Sequence, residues 1–225
     1  MAREFSRNMF IMLVSIMVGA VVITYFAADI VNRSQIDTLT TLHTQQITNL
    51  NSRNENFTNY MLQGSIKMDA ARETREVANL HFDFGLYWFD LALKNSDPGL
   101  ATQCIKNCTD AQIQYLSAAD GFNKSIPYFL AATNYTNTSK YLEVIGYYLG
   151  FAHAGYNVTL LRYNASGLLR QAAENLSNGN MENVTLLMEN FTSVESAVGG
   201  AQQQYDGYRQ QIDGYLFFSE IREIP

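Results

Sequence analysis

The sequence predicts an all-α protein, an N-terminal transmembrane helix continuing into an extracellular antiparallel helical bundle. Three observations carry the prediction. Residues 9–31, MFIMLVSIMVGAVVITYFAADIV, form an apolar run without a charge until Asp29. Beyond it the only prolines are Pro98, Pro127 and Pro225, and apolar residues recur at spacings of three and four, the signature of helix faces. Eleven Asn-x-Ser/Thr sequons follow the run and none lies inside or before it.

The apolar run comes first. About 20 uncharged residues rising 1.5 Å each span about 30 Å, the hydrocarbon thickness of a bilayer. Arg3 and Arg7 sit in the head, residues 1–8, and place the N-terminus in the cytoplasm. Residues 32–225 then face outside. A cleaved signal peptide is the competing reading, with Val18-Gly19-Ala20 as its cleavage site. The apolar run continues well past that point, and signal h-regions are shorter. A pilin-like leader needs Gly or Ala just before the run, where Asn8 stands. Ser15, Gly19 and Ala27 share one helix face, with Ile23 between the last two. Small residues so placed let another membrane helix approach closely. The lipid bilayer is the first expected partner.

The sequons are Asn32, Asn56, Asn107, Asn123, Asn134, Asn137, Asn157, Asn164, Asn175, Asn183 and Asn190. Chance placement of 20 asparagines among 30 serines and threonines in 225 positions would give about three. Acceptor sites need a lumenal or extracellular surface, so the excess and the charge asymmetry of the apolar run agree independently. N-linked glycans imply a eukaryotic or archaeal cell. Few cysteines and a minimal anchor lean archaeal. Cys104 and Cys108 lie in this oxidising compartment without the CxxC spacing of a redox motif. They predict a small structural disulfide and, because a regular helix positions i and i+4 sulfurs poorly, a turn at 104–108.

Composition narrows the function classes. Two cysteines exclude a disulfide-rich scaffold and a four-cysteine metal site. A net charge of −6 with 15 Lys and Arg makes nucleic acid an improbable partner. A mean hydropathy of −0.12 excludes a multi-span membrane protein.

Helices are predicted near 9–52, 55–94, 109–132, 139–176 and 181–222. Three clusters punctuate them, at 95–99, 134–139 and 177–180, and Thr109 with Gln112 reads as a capping box. The last helix has the cleanest pattern. Leu187, Phe191, Val194, Val198, Ala201, Tyr205, Tyr208, Ile212 and Tyr215 alternate at four and three, an a/d stripe over four heptads. Val77, Leu80, Phe84, Tyr87 and Leu91 make a similar stripe in the second helix, and two such helices need facing partners. Residues 141–154 are apolar nearly all round, too short to cross a bilayer and flanked by sequons. They predict a central buried helix, with Gly146, Gly150 and Ala154 as a smooth strip for a neighbouring backbone. The sequons strain this model. Asn183 and Asn190 flank the Leu187/Val194 stripe and Asn164 lies near Leu161 and Leu168, so either some sequons are empty or the helices break.

No motif for catalysis emerges. HExxH, G-x-S-x-G, a phosphate-cradling glycine loop and a carboxylate-x-x-His pattern are all missing from the sequence. His81 and Asp83 alternate onto different helix faces. His153 reads as a hydrogen-bonded core residue, and Glu143 as a carboxylate snorkelling from a helix edge. No cofactor or metal is expected, and no enzyme. The reading is a single-pass surface glycoprotein of the cell membrane, a structural or accessory subunit of a membrane or envelope assembly, with a membrane or envelope protein or a second copy as partner. The alternative is a ligand-binding sensory ectodomain. An anchor followed by a long bundle resembles, in architecture alone, the outer half of chemoreceptor-type sensors. With an eight-residue head, a partner membrane protein would have to carry the signal.

Overall fold

The computed structural model describes residues 35–215 in full and, before them, only the backbone of the first helix. α1 spans Ala2–Asn95, α2 Pro98–Ala132, α3 Ser139–Ser177 and α4 Met181–Gly214, with one 3-10 turn at Thr133–Tyr135. The described residues are all-helical, as the proline scarcity and the 3.6-residue period predict. The predicted break at 52–55 is absent, since the helical assignment of α1 continues through it.

Two compact units divide the chain, Met1–Ser52 and Arg53–Pro225. In the first, residues 35–52 form one helical segment whose Ile36, Leu39, Leu42, Ile47 and Leu50 are all exposed. The side chains of the apolar run 9–31, Ser15, Gly19 and Ala27 among them, and of the sequon at Asn32 lie outside the described residues. Among the described residues no helix is long and apolar enough to cross a membrane.

The second unit is an up-down-up-down four-helix bundle. Consecutive helices are antiparallel. Between α3 and α4, Glu143 meets Tyr215, Gly150 meets Tyr208 and Arg162 meets Glu195. Between α1 and α2, Gly64 meets Phe129, Ala71 meets Gly121 and Gly85 meets Cys108. α1 and α3 run parallel across the diagonal, with Phe57 stacked on Tyr141 and Gly85 near Leu169.

The turns fall on the punctuation. Ser96 takes a positive φ, and Asp97 caps α2 through a 2.8 Å hydrogen bond from the Gly99 amide. Pro98 then occupies the first helical turn, where its missing N–H costs nothing. α2 therefore starts at Pro98 and not at Thr109. Thr109 lies inside the helix, its hydroxyl donating to the Ile105 carbonyl. Gly179 at φ 74 closes α3, and the Asn180 side chain accepts from the Asn183 amide to open α4.

Small residues at every seventh position build the α1–α2 seam. On α1 they are Gly64, Ala71, Ala78, Gly85 and Ala92; on α2, Cys104, Ala111, Ala118, Ser125 and Ala132. All are buried, and they let the two backbones approach until a Cβ on Gly121 would sit 2.8 Å from that of Ala71. Larger side chains between them fill the core. One cluster includes Phe57, Met61, Phe122, Phe129, Phe151 and Tyr205. The other includes Phe82, Phe89, Tyr115, Leu169 and Phe191.

This seam corrects the predicted stripe on the second helix. Val77, Leu80, Phe84 and Tyr87 are 46, 55, 49 and 56% exposed, and Leu91 is half-buried. α1 carries two heptad seams on opposite faces. The seam from Phe57 to Ala92 is longer, and its glycines and alanines admit close neighbours, so it takes the core. The α4 stripe holds as drawn: Phe191, Val198 and Tyr205 are buried and its six other members half-buried. α3 is the central helix, buried nearly all round except for a narrow line that includes His153, Asn157, Asn164 and Gln171. His153 is therefore exposed, against the core position expected for it.

The predicted smooth strip on α3 is partly right. Gly150 lies under the Tyr208 ring, where a Cβ would come within 2.4 Å, and Ala154 is buried. Gly146 is exposed, and nothing lies within 4 Å of where its Cβ would be. Gly155, one position beyond the predicted strip, is about as tight and faces a more deeply buried ring. Its Cβ would meet the fully buried Phe122 ring at 2.5 Å. Gly155→Ala is expected to lose about 1–3 kcal/mol through overpacking. Gly146→Ala should gain up to about 1 kcal/mol of helix propensity. Urea unfolding of the two variants measures both, and equal effects would refute the packing difference.

Candidate functional site

Ten of the sequons fall on described residues. Asn123, Asn134, Asn137, Asn157, Asn164, Asn183 and Asn190 are exposed; Asn56, Asn107 and Asn175 are half-exposed. None of the ten is buried. The conflict seen in the sequence resolves without broken helices. α4 is continuous through Asn183 and Asn190, and α3 through Asn164. Each asparagine stands just outside the seam. Asn107 and Asn175 donate their side-chain amides to the Gln103 and Gln171 carbonyls one turn back, and Asn183 donates to Asn175 across the α3–α4 turn.

The sequons are also unevenly spread. Nine lie from Asn107 to Asn190, on α2, α3, α4 and the connection between α2 and α3, and none lies between Asn56 and Asn107. The outward face of α1 thus carries no acceptor site where it carries Val77, Leu80, Phe84 and Tyr87.

The cysteines depart from expectation. α2 is regular from Pro98 to Ala132, without a turn at 104–108. Cys104 and Cys108 are free thiols with sulfurs 3.8 Å apart, too far for a bond of about 2.05 Å. Both are fully buried core residues facing α1, where Gly85 leaves room for the Cys108 sulfur. The hydrogen bond to Cys108, with burial behind it, pushes the Cys104 thiol up. A water-soluble maleimide is expected to label neither thiol in the folded chain and both in denaturant. Protection that persists after unfolding, and disappears with reductant, would restore the disulfide.

The four aromatic and aliphatic residues expected at the α4 interface act within the bundle. Tyr205 is 1% exposed, stacked 4.3 Å from Phe151 and edge-on to Phe122 at 6.3 Å. Tyr208 covers Gly150. Ile212 is half-buried against the same cluster. Tyr215 donates 2.9 Å to Glu143 Oε2, and Tyr147 donates 2.6 Å to Oε1. Those two bonds hold the exposed Glu143 carboxyl below its usual range and raise both phenols.

A polar layer that sequence reading missed separates the two core clusters. Arg75 sits at a seam position of α1, 8% exposed, its guanidinium 4.1 Å over the Tyr205 ring. Among the described residues it makes no ion pair, and its Nε and Nη1 are buried without a hydrogen-bond partner, as is the Tyr205 hydroxyl. Burial lowers the Arg75 pKa and raises that of Tyr205. Nearby, Tyr115 donates 2.7 Å to Asn79, and Arg162 makes two 2.8 Å bonds to Glu195 while lying over Phe82. The signal for this layer was an arginine at a heptad position between Ala71 and Ala78.

Beside the layer lies a half-open cleft of about 240 Å³, floored by Met68, Phe151 and Ile212 and edged by Tyr148. Its four charges pair along their own helices, Arg72 with Asp69 at 3.5 Å and Arg209 with Asp213 at 3.6 Å. Among the described residues no three His, Cys, Asp or Glu side chains are grouped to hold a metal. No protein-family model, curated protein or solved structure matches this chain.

Proposed function

We propose that the chain is a single-pass, membrane-anchored surface glycoprotein that serves as a structural or accessory subunit of a membrane or envelope assembly. The observation that carries this reading is the sequon distribution. Eleven sequons lie on one side of the apolar run, and none of the ten at described positions is buried. Asparagines outside sequons are off the core as well, so the weight rests on the excess of sequons over the about three expected by chance and on their all lying on one side of the run. The anchor rests on the length of 9–31 and on Arg3 and Arg7. The subunit role is supported by a core filled with the bundle's own side chains beside an apolar ridge left in solvent on α1. Such ridges mark protein contacts.

The test is an alkaline carbonate wash of source membranes, followed by mild detergent extraction and native mass spectrometry. The chain is expected to stay with the membrane, to carry several N-linked glycans, and to co-purify with another membrane or envelope protein at fixed stoichiometry. Release by the wash, or a mass without glycans, overturns the topology. A glycosylated monomer or homo-oligomer overturns the subunit role. One observation favours the sensory alternative, the cleft at Tyr148, whose paired opposite charges suit a small zwitterionic ligand. Retention of such a ligand in the native mass would favour it.

A further inference from the structure

We infer that the outward ridge of α1 is the docking surface for a partner helix whose apolar ridge is flanked by basic residues. Val77, Leu80, Phe84 and Tyr87 recur at three and four residues on the face opposite the core seam, each about half exposed. One such residue is ordinary on a protein surface; a heptad-spaced row of four is an unfilled coiled-coil seam. No sequon lies from Phe57 to Lys106, so this stretch offers no N-linked acceptor from which a glycan could cover the ridge.

Charge selects the occupant. Glu76, Asp83 and Asp90 follow one another at seven-residue intervals along one flank of the ridge, all exposed. Among the described residues none of the three makes an ion pair or hydrogen bond. Flanking charges set partner choice in helix pairs. A line of carboxylates beside an apolar seam asks for Lys or Arg on the incoming helix. A second copy fits poorly. In an antiparallel pair the carboxylate lines would oppose each other. In a parallel pair they would meet His81 and Trp88, which are half-buried in their own bundle.

The inference rests on the subunit reading for the existence of a partner, but its test does not involve glycans or membrane topology. The full chain is titrated with two labelled synthetic four-heptad peptides. Both carry Leu at a and d; one carries Lys at its flanking positions and the other Glu. The Lys peptide is expected to bind at least about tenfold more tightly. Asp83→Lys with Asp90→Lys should reverse the preference. Glu182→Lys with Glu189→Lys, exposed on α4, should leave it unchanged and so exclude general attraction to an acidic protein. Leu80→Asp with Phe84→Asp should abolish binding, with helicity and thermal midpoint unchanged. Equal binding of the two peptides, no binding, or the same reversal from the α4 pair overturns the proposal. So does a homodimer in sedimentation that depends on Leu80 and Phe84 and resists the peptide, since the occupant is then a second copy. If the Leu80/Phe84 variant unfolds, the two charge-reversal pairs still decide.

Discussion

Tyr205→Ala is expected to cost about 3–5 kcal/mol, the range for truncating a buried aromatic ring. The ring is the contact between α4 and three other helices. It stacks on Phe151 of α3, meets Phe122 of α2 edge-on, and lies under the Arg75 guanidinium of α1. Truncation would open a cavity and leave Arg75 without the ring its guanidinium lies over. For a unit of this size each kcal/mol shifts the melting temperature by about 2–4 °C, so a fall of about 10 °C is expected. Tyr205→Phe separates ring from hydroxyl. The hydroxyl is buried without a partner, so its removal should be neutral or slightly stabilising. A Phe variant that loses as much as the Ala variant would show that the ring is not what matters.

Arg75→Met is expected to stabilise the bundle by about 1–3 kcal/mol. A buried guanidinium with two unsatisfied nitrogens carries a desolvation penalty that the nearby Asp206 and Glu76 carboxylates offset only in part. Replacing buried ionic groups by apolar residues of similar volume is often neutral or gains about 1–4 kcal/mol. The lost cation–π contact with Tyr205 takes back part of that, about 1 kcal/mol. Chemical denaturation at neutral pH measures the sum. A loss of more than about 1 kcal/mol would mean that Arg75 is solvated or paired in a way the geometry does not show. A gain would leave the arginine to be explained by something other than stability, such as specifying which helices meet at this layer.

The parts of the fold that were legible in the sequence share one property, an unambiguous pattern. The nine residues from Leu187 to Tyr215 form a single stripe with no rival on α4, and all nine are buried or half-buried. Residues 141–154 are apolar nearly all round, and α3, which contains them, is the central helix. The turns followed Gly, Pro, Asn and Asp. α1 was misread because it has two patterns. Reading by large apolar side chains picks Val77, Leu80, Phe84 and Tyr87. The true core seam is built on Gly64, Ala71, Ala78 and Gly85, which carry little hydrophobicity and act by letting α2 come close. Cys104 and Cys108 were misread for the same reason. At four residues apart they suggested a disulfide and a turn, but they serve as small members of the facing seam on α2. His153 was placed in the core on the average polarity of its helix, and it lands on the one narrow line that α3 leaves open. The sequons were legible one by one. Their bias away from the face of α1 emerged only once the helix faces were assigned.

The polar layer also bears on the order in which the bundle closes. α1 and α2 are joined by a turn of two residues, and their seam of glycines and alanines needs nothing from the rest of the chain. This local hairpin can form early, as short-range contacts do. Arg75 is still in water at that stage. Only when α4, the last of the four described helices, lays Tyr205 across it does the guanidinium leave solvent. The cost of dehydrating it therefore falls on a single late event. The ridge on the far face of α1 uses no residue of α4, so it is complete before α4 arrives.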